Sequence, residues 1–119
     1  MAHGTWLQRW RPVIGDKSAL IDLASGHRWS YADLDRLADR AANLLRESWG
    51  VGPGARVAVI GANRVEQVVV YFACARLGAI LVPVNWRLAP GEVDWILSDC
   101  DPRVLLFGAD MDDTVAALS

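Results

Sequence analysis

The sequence predicts an α/β fold: a largely parallel sheet flanked by helices, with a short N-terminal hairpin ahead of it. Three observations carry that prediction. Residues 30 to 107 alternate between helical and strand-like apolar patterns. The runs Arg56 to Ile60 and Ala79 to Val84 are almost continuously apolar, as strands covered on both faces are. A helical segment separates each such strand from the next, and this alternation gives right-handed crossovers in a parallel sheet.

The elements follow in chain order. Trp6, Leu7 and Trp10 share one face at helical spacing, so a short helix opens the chain, with Pro12 and Gly15 expected to end it. Ser18 to Asp22 and Arg28-Trp29 read as strands around the turn residues Ala24, Ser25 and Gly26, a hairpin pattern. Ser30 and Asp33 have the spacing of a capping box at the start of a helix. Leu34, Leu37, Ala38, Ala41, Leu44 and Leu45 then repeat on one face, with Asp35, Arg36, Asp39, Arg40 and Asn43 expected on the other. That helix ends near Trp49-Gly50.

Gly50, Gly52 and Gly54 follow a helix and precede a strand. A dinucleotide fingerprint has the opposite order, so these glycines read as a turn. Asn63 is an expected N-cap for the next helix, with Glu66 three residues on. The Gly61–Asn63 junction could instead hold a phosphate at the helix N-terminus, although Glu66 would repel it. Residues 64 to 77 are apolar nearly all round, which requires burial on more than one side, more than a chain this small is expected to provide by itself. Gly78 suits the end of this helix, and Pro83 marks the following strand as an end or edge strand. Pro90 and Glu92 open a short helix with Val93, Ile96 and Leu97 inward, and Asp101-Pro102 ends it. Arg103 to Phe107 is the last strand. Asp110, Asp112 and Asp113 read as helix N-terminal charge, or else as a cation site.

Composition removes several functions. The chain has 119 residues, 53% of them hydrophobic and 22% charged, which fits one globular domain. The net charge of −2 and scattered arginines give no basic block for nucleic acid. Lys17 is the only lysine among 12 basic residues, and no Gly/Ser/Thr-rich loop contains it. His3 and His27 lack metal-ligand spacing. Cys74 and Cys100 read as free thiols of a cytoplasmic protein. The N-terminus is no signal peptide, and Arg76 and Gly78 interrupt the window from Val68 to Val84 that most resembles a membrane span.

The segments from Trp29 to Leu45, from Gly50 to Ile60 and from Ala75 to Asn85, with Asn63, Glu92, Ile96 and Leu97, resemble the N-terminal region of AMP-forming acyl-CoA synthetases. These belong to the adenylate-forming (AMP-binding) superfamily, and the resemblance runs from about Ala19 to Phe107. Asn85-Trp86-Arg87-Leu88 is more like fatty-acyl and aryl CoA ligases than peptide-synthetase adenylation domains. The resemblance implies a partial N-terminal subdomain. Residues 1–17 would be a helix and lead-in, and 18–119 a partial AMP-binding domain truncated before its phosphate loop.

It also implies a reaction for the whole enzyme. A carboxylate attacks the α-phosphate of ATP, giving an acyl-adenylate and pyrophosphate, and the thiol of CoA then displaces AMP. ATP, Mg2+ and CoA would serve that enzyme, with a carboxylic acid as substrate. The lysine-bearing phosphate loop, the magnesium motif and the ribose-binding aspartate of the family are not found in this sequence. No catalytic residue, metal ligand or cofactor is therefore expected for this chain alone, and catalysis by it is not expected. Arg87 is the one candidate site residue. The resemblance allows it to meet a CoA phosphate; the alternatives are a solvated arginine or a partner for Glu92. The other function the sequence allows is a non-catalytic module that self-associates through uncovered apolar surface between residues 65 and 84.

Overall fold

A computed structural model describes residues 6–62 and 64–118. Their order is α1 (Trp6–Ile14), β1 (Ser18–Ile21), β2 (Arg28–Ser30), α2 (Tyr31–Trp49), β3 (Arg56–Ile60), α3 (Val65–Leu77), β4 (Ile80–Val84), α4 (Pro90–Cys100), β5 (Val104–Phe107) and α5 (Asp112–Ala116). β1 and β2 pair antiparallel as the predicted hairpin. The main sheet has the order β4-β3-β5 and is wholly parallel. The predicted α/β class is therefore the observed one.

The sheet's alternation assigns its two faces. Val57 and Val59 of β3 pack with Ala42 and Leu45 of α2 and with Ala73 and Cys74 of α3. Ala58 and Ile60 point the other way, onto Val93, Ile96 and Leu97 of α4 and Met111. Val57, Ala58 and Ile60 are almost fully buried, because β3 lies between two neighbours and two helical layers. Burying an aliphatic side chain of this kind contributes about 1.5–3 kcal/mol. Pro83 lies on β4, an edge of the described sheet, where its missing amide interrupts no ladder on the open side.

α2 begins where its capping box predicts. The Ser30 hydroxyl accepts from the Asp33 amide at 3.0 Å, and the Asp33 carboxylate accepts from the Ser30 amide at 2.9 Å. Gly50 ends α2, and Gly78 ends α3, both in the left-handed region at φ 64° and 70°. α3 is apolar all round because the chain itself covers it twice. Ala73 and Cys74 face the sheet. Phe72, Val65, Val68 and Val69 meet Leu7 of α1, Trp29 of the hairpin, and Leu34 and Ala38 of α2.

Two local expectations are corrected. α1 runs through Pro12 to Ile14, so it ends at Gly15 as expected but does not stop at the proline. Proline's fixed φ is compatible with a helix, and the lost hydrogen bond is offset by Leu7 in the core and by Arg11, which donates to Asp35 at 3.0 Å. Asp35 is not on an exposed face: it is 6% exposed. Arg76 of α3 donates to its carboxylate and, at 3.2 Å, to its backbone carbonyl. Arg76, which breaks the apolar run in sequence, thus links α2 to α3, and Arg11 adds α1. The expected cap residue Asn63 lies outside the described residues. The cap position of α3 is Arg64, extended, with no side-chain cap bond.

Candidate functional site

In open parallel sheets, ligands bind in the crevice beyond the carboxyl ends of the strands, where successive crossovers leave to opposite faces. This chain has such a point. It passes from β3 to β4 through α3 on one face, then to β5, on the far side of β3, through α4 on the other. Two clefts open there. One, of about 260 Å³, lies between the ends of β3 and β5 and includes Val70, Phe107 and Asp110. The other, of about 420 Å³, lies between the ends of β3 and β4 and includes Asn85, Trp86 and Arg87. Gly61 and Gln67 border both.

Arg87 therefore lies at the second cleft, on the loop between β4 and α4. The Asn85 side-chain oxygen accepts from the Arg87 amide at 3.0 Å, and the Asn85 carbonyl accepts from the Leu88 amide at 3.2 Å. These two bonds close a turn, so Asn85 shapes the loop, as Asx residues do. The Arg87 guanidinium lies over the Trp86 ring, 5.0 Å from its centroid, a cation–π arrangement. Glu92 is engaged elsewhere: its carboxylate accepts from the Ala89 amide at 3.0 Å, at the start of α4. Among the described residues no acidic side chain borders this cleft, and Arg87 is the one charged residue that does. Its electrostatics suit an anion.

The first cleft is shaped by two contacts that the sequence did not reveal. The Gln67 side-chain amide donates to the carbonyls of Gly61 and Ala62 at 2.9 and 3.1 Å. It ties the loop after β3 to the first turns of α3. Arg64 lies 3.7 Å from Asp110, linking the start of α3 to the segment after β5. Asp110 is thus half of an ion pair, and Asp112 and Asp113 occupy the first turn of α5. Among the described residues, no group of three or more His, Cys, Asp or Glu side chains is placed to hold a metal.

Lys17 precedes the hairpin, and its carbonyl accepts from the Tyr31 amide. It does not border either of these clefts. The cysteines are free, Cys74 buried and Cys100 partly so. Burial pushes the Cys74 thiol up to about 11. Among the described residues, no helix is long and apolar enough to cross a membrane.

The sequence profile described as AMP-binding enzyme matches residues 7–118. The long-chain-fatty-acid–CoA ligase FadD13 of Mycobacterium tuberculosis is 37% identical over 105 residues, 87% of this chain and 21% of that protein. A feruloyl-CoA synthase of Amycolatopsis is 43% identical over 94 residues, 79% of this chain and 19% of that protein. The chain thus spans about a fifth of the length of these curated relatives. A crystal structure of the N-terminal domain of FACL13 from Mycobacterium tuberculosis superposes with a TM-score of 0.93 at 34% identity, covering 98% of this chain and 30% of that one. A profile match over nearly every residue, and a superposition that includes the hairpin, the three-stranded sheet and its helices, lead to one conclusion: the chain belongs to the AMP-binding enzyme family, with the fold of the N-terminal region of its acyl-CoA ligases.

Proposed function

We propose that these residues form the N-terminal part of a fatty-acid or aryl-acid CoA ligase. Such an enzyme joins a carboxylic acid to AMP from ATP, releasing pyrophosphate, and then transfers the acyl group to the CoA thiol with release of AMP. The observation that carries the reading is the match over residues 7–118 to a family whose relatives here include a fatty-acid and a feruloyl CoA ligase. Free Cys74 and Cys100 are compatible with a cytoplasmic location.

This reading assigns no ATP-Mg2+ site to the residues described, and its support is that the sole lysine, Lys17, is in no phosphate-cradling loop. No step of adenylation is therefore assigned to them. The 119-residue chain alone is inactive in this reading. Arg87 is its one ligand contact, meeting a CoA phosphate through the guanidinium fork at the cleft beside β4.

ATP–pyrophosphate exchange tests this with a panel of fatty and aromatic acids. The isolated chain should give no exchange. The chain joined to the remaining sequence of a relative such as FadD13 should give exchange that depends on the acid. Exchange by the isolated chain, or a folded hybrid that never exchanges with any acid, would overturn the proposal. A second reading, a self-associating module, has one observation in its favour: Ile80 on one sheet edge and Phe107 on the other are 47% and 45% exposed.

A further inference from the structure

Trp86 borders the cleft beside β4 and belongs to none of the three apolar clusters of the described residues. It is 42% exposed on a turn whose flanks are pinned: Val84 is buried, and Leu88 packs against the cluster below α4. Between these anchors the Asn85 side chain fixes the backbone through the Arg87 amide. The indole's visible partner is the Arg87 guanidinium, 5.0 Å from the ring centroid.

We propose that Trp86 is a positioning residue for Arg87, holding the guanidinium at the mouth of the cleft beside β4 so that it meets a phosphate of CoA. The inference rests on the assignment of Arg87 made above and adds what makes that arginine effective. A free arginine side chain carries about 2 kcal/mol of rotamer entropy, much of which is lost when it grips an anion. The indole face removes part of that loss in advance. Among the described residues Arg87 is the one charged residue bordering the cleft, so an anion held there depends on where this guanidinium is kept.

The test measures binding of CoA and of pantetheine, which lacks every phosphate, by calorimetry to this chain joined to the remaining sequence of FadD13. Wild type, Trp86→Ala, Trp86→Phe and Arg87→Ala are compared. Wild type should prefer CoA. Arg87→Ala should abolish the preference. Trp86→Ala should reduce the preference by about two- to fivefold, the range expected for losing an exposed cation–π contact. Trp86→Phe should retain most of it, and pantetheine binding should not change.

A preference that survives Trp86→Ala intact, or a loss shared equally by pantetheine, overturns the inference and leaves the Arg87 assignment standing. A wild-type hybrid that binds CoA no better than pantetheine, or a preference untouched in Arg87→Ala, overturns the Arg87 assignment itself and the inference with it.

Discussion

Asp35 couples three helices through one carboxylate. Arg76, whose side chain is only 10% exposed, reaches it from α3, and Arg11 reaches it from α1. Asp39 stands 3.7 Å from Arg76 but is mostly solvated, so it is a weak substitute. Removing one partner of a buried ion pair leaves the other charge poorly compensated, a loss of about 3–5 kcal/mol. Asp35→Ala should therefore lower stability by about 3 kcal/mol in urea unfolding, a large part of the roughly 5–15 kcal/mol typical of a domain. A change below about 1 kcal/mol would show that the network contributes little. This pairing was not legible in the sequence: periodicity puts any aspartate outside, and Arg76 is 41 positions away.

Cys74 gives a second prediction at this scale, with a defined sign. Its folded pKa is raised by burial, so the folded state keeps the thiol proton to about 11, whereas the unfolded chain releases it near the ordinary thiol value of 9.0. Above pH 9 the folded state holds more protons than the unfolded one, and stability must fall as pH rises from 9 toward 11. The stabilising contribution is fully present below pH 9. At pH 8 the buried Cys74 thiol stays protonated in the folded state, so iodoacetamide should label Cys100 well before Cys74. Urea should remove the difference. Equal native labelling rates would contradict the buried placement of Cys74.

Whole elements were more readable than single residues because their signals are local. The capping box of α2 spans Ser30 and Asp33, and both halves form as the spacing predicts. Hydrogen bonding from the Ser30 backbone amide, then from its hydroxyl, holds the Asp33 carboxyl below its usual range. The cap is therefore present above the ordinary carboxylate pKa of about 3.9 and lost as pH falls through the lower folded value. Ser30→Ala should destabilise the protein by about 1 kcal/mol, read as a lower urea midpoint with unchanged slope. A midpoint within error of wild type would mean that α2 is fixed by packing alone. α1 was less readable. Pro12 is a strong local stop signal, and only Leu7 and Arg11, through partners distant in sequence, explain why the helix continues. The cleft at the strand ends was half readable. The Asn85–Arg87 loop follows an obvious strand, but Gln67 looks in sequence like an ordinary polar helix residue.

For the whole molecule, the decisive feature is the contrast between faces and edges. Both faces of the three-stranded sheet are covered by helices, so the apolar strands are satisfied there. Its edges are β4 and β5, with Ile80 and Phe107 about half exposed. Each edge also presents backbone groups able to pair with another strand, and uncovered edges of this kind favour association. Trp95 on α4 adds a 69% exposed indole. Apolar contact rather than charge would drive such association, because the net charge is only −2. The 119-residue chain should therefore sediment as a concentration-dependent oligomer and bind a hydrophobic dye. Raising salt should not dissociate it, since screening acts on charges and not on apolar burial. Phe107→Lys, on an edge and outside the buried core, should shift the equilibrium toward monomer while leaving the helical signal in circular dichroism intact. A wild-type chain that remains monomeric at high concentration without dye binding would rule out association through these edges.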